Sequence, residues 1–396
     1  MDCKHSKITT TGDNGSLYTK AAPHHQITQL NWSQQQQQLQ QQQLQQQQYG
    51  RPFAADPIWP IDDFHLLENP NKYSEEEKQL RIKLAAVYRL IDLNGWSMGI
   101  YNHVTAKLEK QVEKILIHPF GLHYNEITAS SMLKIDATNG QIVDQGSTNF
   151  ELNRPGYIIH SAIHMARPDL KAIIHLHYPP VSAASASKFG LLPVCQEQAL
   201  LGEIAYLDYS GILTQEDERD AVAKAFGDRC KVMILHNHGL IVAGETIEEA
   251  FYLLTNLMRA CETQARLLAL GGGLENMILM SEDAAQQAWE MVQNARYPIK
   301  QLVPSPVSKD LLNGGCSSGD EATTSGNESD LDQAEERQKA QLQARKGQQL
   351  MRRNVVGYVN MFELDFEAQM RSLDSMGHQT GYKYKRPLVR YYKANV

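Results

Sequence analysis

Two apolar runs in this chain stop on histidines. Ala172-Ile173-Ile174 leads into His175-Leu176-His177, and Val232-Met233-Ile234-Leu235 leads into His236-Asn237-His238-Gly239. Short apolar runs of this kind read as buried strands. Residues i and i+2 of a strand point to one face, so each run can present two imidazoles together at a strand end. Two such ends side by side in a sheet would offer the neutral imidazole nitrogens that zinc accepts in tetrahedral geometry. A strand-end histidine can equally be a hydrogen-bonded polar residue, and the spacing leaves both readings open. Pro179-Pro180 predicts a sharp turn after the first run, and Gly239 allows close backbone approach after the second.

Helix and strand signals alternate around these runs. Ser74-Glu75-Glu76-Glu77 has the pattern of a capping box, in which the hydroxyl caps a helix and the carboxylate reaches back. Leu80, Leu84, Val87 and Ile91 then recur at helical spacing, and Gly95 is the expected stop. Strands are expected at 103–106, 115–117, 141–143 and 205–207. Helices are expected at 157–166, halted before Pro168, and from a cap at 214–217 to Gly227. Thr246-Ile247-Glu248-Glu249 is a second capping-box pattern. It opens a long helix with Ile247, Ala250, Phe251, Leu254, Met258, Cys261 and Ala265 on one stripe, ended by Gly271-Gly272-Gly273. The strands are too short for an all-parallel sheet. The pattern predicts an α/β fold with a mixed central sheet flanked by helices.

The ends of the 396-residue chain differ from its middle. Hydrophobic residues make up 42% of the whole, but few lie near either terminus. Residues 34–48 are glutamine apart from Leu39 and Leu44, a tract with too little apolar surface to offset its ordering entropy. Residues 314–332 are rich in Gly, Ser, Thr and acids, and 335–353 are polar and charged, suiting a linker or a solvated helix. Residues 362–376 can form an amphipathic helix with Phe366, Met370 and Leu373 on one side. From 377 to 396 the chain carries Lys383, Lys385, Arg386, Arg390 and Lys393, no acid, and Tyr382, Tyr384, Tyr391 and Tyr392. This end suits either a solvated tail or contact with an anionic membrane surface or acidic filament.

A net charge of -7 gives no global electrostatic reason to bind nucleic acid. The cysteines Cys3, Cys195, Cys230, Cys261 and Cys316 are odd in number and contain no CxxC pair, which argues against a disulfide framework or a thiolate zinc site. They fit a reduced cytoplasm. No signal-peptide stretch opens the sequence, and no window has the apolar length to span a bilayer. His160 and His164 lie four apart on a helix but lack the glutamate of an HExxH site, and they read as hydrogen-bonded or interfacial residues. Ser182, Ser185 and Ser187 lie near the histidines without any sign of activation.

Ile173-Ile174-His175-Leu176-His177-Tyr178-Pro179 and Ile234-Leu235-His236-Asn237-His238-Gly239-Leu240 resemble the class II aldolase/adducin family. In its enzymes zinc is held by two histidines of the first motif and one of the second. The resemblance therefore implies His175, His177 and His238 as metal ligands, with His236 outside the set. Those enzymes carry a general acid/base glutamate, in a Ser-Ser-Glu motif, four residues before a helical histidine. Here that histidine is His160 and the matching position is Gly156, in Asn153-Arg154-Pro155-Gly156. Glu151 is nearby but five residues out of register.

Further segments resemble the adducin branch: Leu84 to Leu90, Gly95-Trp96-Ser97, Ile100-Tyr101-Asn102-His103, Pro119-Phe120-Gly121-Leu122, Gly146-Ser147-Thr148-Asn149 and, past the linker, Phe366 to Asp374 with Gly381-Tyr382. Adducins usually close on a long tail with a lysine-rich segment, and this sequence stops at Val396. The expected division is a disordered leader (1–73), an aldolase/adducin head (74–300), a flexible charged linker (301–354) and a short C-terminal segment with a basic end (355–396). The resemblance implies a non-enzymatic cytoskeletal protein that binds actin filaments, supports spectrin–actin assembly at the cytoplasmic face of the plasma membrane, and associates with itself or other adducin chains. Zinc would then be structural or vestigial. The alternative is a zinc-dependent lyase acting on a sugar phosphate.

Overall fold

The computed structural model describes residues 58–111, 113–208, 216–270, 273–304 and 351–387. The glutamine tract, the linker interior at 305–350 and the last basic residues lie outside them.

The centre is a mixed sheet of eight strands: β1 (His103–Lys107), β2 (Lys114–Ile117), β3 (Leu133–Asp136), β4 (Ile142–Asp144), β5 (Ala172–Leu176), β6 (Ile204–Asp208), β7 (Val232–His236) and β8 (Gly239–Gly244). Their spatial order is β4-β3-β2-β1-β5-β8-β7-β6. Every pairing is antiparallel except β6 with β7. Helices cover both faces, as the alternating signals predicted. Leu133–Asp136 and Gly239–Gly244 are strands beyond those expected from the sequence.

Period-two alternation sorts each strand between the two faces. Val104 and Ala106 of β1, Ile174 and Leu176 of β5, and Val242 of β8 join one core, with α1 (Glu75–Leu93) and α6 (Ile247–Ala269). Ile173, Met233 and Ile241 join the other, beneath α2 (Arg154–Ala166) and α5 (Glu216–Phe226). His103, Thr105 and His175 therefore fall on the α2 face.

The capping boxes are only half closed. Ser74 accepts from Glu77 N, but the Glu77 carboxylate binds Arg81 Nε at 3.0 Å and Lys134 Nζ at 2.7 Å. Thr246 caps Glu249 N, while the Glu249 carboxylate takes Lys231 and the Glu245 N–H. Cations from outside each motif, and for Glu249 also the Glu245 N–H, take the carboxylates in place of the cap residue's backbone donor. Pro179 and Pro180 do not simply turn the chain; they open the first turn of α3 (Pro179–Ser185), a position where a missing N–H costs nothing.

Packed structure extends to the N-terminal side of the expected boundary at 73. Ile61 is fully buried, Phe64 nearly so, and Ile61 N donates to His378 O. Two apolar anchors and a backbone pairing tie this stretch to the C-terminal segment. The expected linker at 301–354 is also paired at both ends: β9 (Arg296–Pro304) and β10 (Met351–Asn360) form an antiparallel ribbon, so Met351 to Arg353 are extended rather than helical. β10 leads into α8 (Met361–Ser375), where Asn360 and Glu363 close a complete capping box. Phe366, Met370 and Leu373 are fully buried in the α1/α6 core, as their spacing predicted.

Residues 377–387 are not a free tail. Lys383 pairs with Glu75, Lys385 with Glu363, and the buried Glu367 carboxylate accepts the N–H groups of Lys385 and Arg386. Lys383 and Lys385 thus pair with acids of the body while keeping most of their side chains exposed. Arg390, Lys393, Tyr391 and Tyr392 lie outside the described residues.

Candidate metal centre

β5 and β7 are not neighbours; β8 lies between them. The hairpin turn joining β7 to β8 brings the second histidine group back. Leu235 pairs with Gly239, and Asn237 takes a left-handed φ of 56°, a conformation asparagine tolerates better than most residues. His238 is thereby carried over β8 to the end of β5. Gly239 is required there, since a Cβ would stand 2.4 Å from the Leu176 carbonyl oxygen.

The three implied ligands converge. His175 Nε2 lies 2.9 Å from His177 Nε2, and His177 Nε2 lies 2.5 Å from His238 Nε2. One nitrogen from each falls within 4.8 Å of the others, and no carboxylate or thiol joins this group among the described residues. His175 Nδ1 donates to Leu240 O at 2.9 Å, which leaves its Nε2 lone pair facing the triad. This backbone contact orients the ring as second-shell partners orient metal ligands. A single proton on His177 Nε2 cannot lie along both contacts, whereas one cation between three lone pairs serves all of them. Burial pushes all three rings toward the neutral form: His175 well below the ordinary histidine range, His177 below it, and His238 down to about 4. The donor set fits a metal of zinc type.

The other sequence candidates lie elsewhere. His236 turns away to Asp208, 2.7 Å from its carboxylate. Ser182 Oγ donates to His238 O and Ser185 Oγ to Ser182 O, so neither is paired with a base. Glu151 is exposed and held through its backbone to Phe120.

His160 and His164 are buried in a hydrogen-bonded series. Thr105 Oγ1 lies 2.9 Å from His164 Nε2 and 2.7 Å from His160 Nδ1, and His160 Nε2 lies 2.9 Å from His103 Nδ1. His103 stacks on His175, with ring centroids 4.9 Å apart. Gly156 sits against the same ring: a Cβ there would stand 2.3 Å from His103 Cδ2 and 2.5 Å from its Nε2. In the sequence His103 reads as a strand residue and as part of an adducin-like segment, and Thr105 as a strand residue, with no site role for either. The signal was the β1–β5 register, which sets His103 opposite His175 and which no single segment contains. Asn102 was also missed. It is fully buried, its Oδ1 accepts from His177 N at 3.1 Å, and its Nδ2 has no protein partner.

Comparison with known proteins places this arrangement. The profile of the Class II Aldolase and Adducin N-terminal domain matches residues 82–265. Alpha-adducin of Rattus norvegicus is 42% identical over 80% of this chain, and beta-adducin of Homo sapiens 35% over 84%. The chain spans 36% and 38% of those two proteins' lengths. Among solved structures, an aldolase II superfamily protein from Pseudomonas syringae is 39% identical, with a TM-score of 0.53, over 57% of this chain and 89% of that one. With the mixed sheet and the strand-end histidines in place, the chain belongs to the class II aldolase and adducin family, and its sequence is adducin-like.

Proposed function

We propose that this chain is a non-enzymatic, adducin-like cytoskeletal protein. It binds actin filaments, supports spectrin–actin assembly at the cytoplasmic face of the plasma membrane, and associates with itself or with other adducin chains. The observation that carries this reading is the contact between Gly156 and His103. The position four residues before His160 has no side chain, and His103 fills the volume one would need. General acid/base catalysis contributes about 10²–10⁴-fold, and no carboxylate stands at Gly156 to supply it. The similarity to alpha-adducin extends over 318 residues, well past the domain match, which supports the cytoskeletal role. In this reading His175, His177 and His238 hold zinc as a structural ion that ties β5 to the β7–β8 turn. Among the described residues no helix is long and apolar enough to cross a membrane, and membrane contact is proposed as peripheral.

The second reading, a zinc-dependent lyase of a sugar phosphate, is favoured by the same three converging nitrogens. Metal analysis of the purified full chain, cosedimentation with filamentous actin with and without spectrin, and a sugar-phosphate cleavage assay separate the two. Filament binding without turnover is the expected result. Cleavage that depends on bound zinc would overturn it.

A further inference from the structure

The buried histidine series has one direction, and it decides the state of the ring beside the metal centre. It starts at Leu170, whose carbonyl oxygen lies 3.2 Å from His164 Nδ1. A carbonyl only accepts, so His164 carries its proton on Nδ1. The ring is almost fully buried, and burial together with Lys107 holds it neutral down to about pH 3. Its Nε2 is therefore an acceptor, and the Thr105 hydroxyl must donate to it. A hydroxyl has one proton, so Thr105 Oγ1 accepts from His160 Nδ1–H. His160 is fully buried and neutral for the same reason, so its Nε2 accepts from His103 Nδ1–H. His103 is 3% exposed, and its ring meets the imidazoles of His160 and His175 and the backbone of Gly156. One proton per ring leaves its Nε2 bare, on the edge that faces the missing side chain of Gly156.

We propose that Leu170, His164, Thr105 and His160 are a positioning relay that fixes His103 as the Nδ1–H tautomer. His103 Nε2 then serves as a neutral hydrogen-bond acceptor for a proton-bearing oxygen ligand of the metal centre, water or an alcohol. Thr105 acts only through the rings on either side of it. The tautomer follows from the relay alone; the acceptor role rests on the metal reading of the histidine triad.

The test uses the full chain labelled with 15N-histidine, with His103 signals assigned by their loss in His103→Gln. Wild type and Thr105→Ser, which keeps the hydroxyl, are expected to show an unprotonated Nε2 on His103. Thr105→Val leaves His160 Nδ1 without an acceptor, and the proton on His103 is expected to move to Nε2. An Nε2–H tautomer in wild type, or no change in Thr105→Val, overturns the relay; wild type alone decides the tautomer if the valine variant does not fold. Adding zinc should shift the wild-type Nε2 signal toward that of a hydrogen-bonded acceptor, and Thr105→Val should lower zinc affinity by about 10-fold or more. Zinc that binds without moving the Nε2 signal overturns the acceptor role. Failure to bind zinc at all sinks the metal reading, and the acceptor role with it, while leaving the tautomer result intact.

Discussion

The relay and the triad use the same side chain in opposite ways. In the relay, His164, His160 and His103 alternate donor and acceptor at 2.7–2.9 Å, with Thr105 supplying the one hydroxyl that keeps the alternation in step. In the triad, three Nε2 atoms face one another at 2.9 and 2.5 Å, and no arrangement of ring protons satisfies both contacts in line. A satisfied series of buried imidazoles rigidifies a core; a convergence of lone pairs calls for a cation. The difference separates core histidines from candidate ligands, although the two groups touch where His103 stacks on His175.

The comparison can be broken most forcefully with acid. His164 of the relay, and His118 outside it and 2.8 Å from the Tyr88 hydroxyl, are buried, and desolvation lowers their folded values to about 3 and about 4, from 6.5. A depressed folded value means the unfolded chain takes up protons first. Stability should therefore be fully present above pH 6.5 and be lost as pH falls from there toward 4, by up to about 1.4 kcal/mol per pH unit for each ring. Urea unfolding of metal-free protein at pH 7, 6, 5 and 4 measures this, and a flat profile would mean that the relay is wet. His238→Ala should cost zinc affinity more than the about 100-fold that losing a ligand's own hydrogen-bond partner can reach, as read by chelator competition. An unchanged affinity would remove the triad as the metal site.

Gly156→Ala tests the seam between the two groups. Its Cβ would press on the His103 ring, and overpacking costs about 1–3 kcal/mol, partly offset by up to about 1 kcal/mol of helix propensity. A lower urea midpoint is expected; a higher one would show that His103 yields freely. The smallest effect belongs to a histidine outside both groups, His236. His236→Ala removes a contact with a largely exposed Asp208, worth about 0–1 kcal/mol, and should leave zinc affinity unchanged.

The fold class was legible because apolar periodicity is a local property. The runs ending at His175 and Leu235, the stripe of α6 and the Phe366-Met370-Leu373 face could each be read from their own segment. Cap chemistry was legible only in part. Ser74 and Thr246 do cap their helices, but the carboxylates expected to close the boxes, Glu77 and Glu249, are drawn to Arg81, Lys134 and Lys231. Lys134 lies on β3 and Lys231 just before β7, beyond the reach of a four-residue motif. The C-terminal basic residues read as a solvated tail or an anionic-surface contact because the acids that pair with Lys383 and Lys385, Glu75 and Glu363, lie 308 and 22 residues away in sequence.

By itself the sequence determined that a mixed α/β sheet would form and that His175, His177, His236 and His238 stood in two pairs at the ends of apolar runs, since apolar alternation and the His-x-His spacing act within a few residues; the family resemblance, not the spacing, singled out His175, His177 and His238. Tertiary structure decided the rest. It placed β8 between β5 and β7, so the triad depends on a left-handed turn at Asn237 rather than on adjacent strand ends. It set β1 against β5, which brought His103 to Gly156 and tied both to Thr105, His160 and His164. Strand order and register are set by how whole faces pack, and a hydrogen-bond direction is set by the carbonyl at its far end, so neither is written at any single position of the chain.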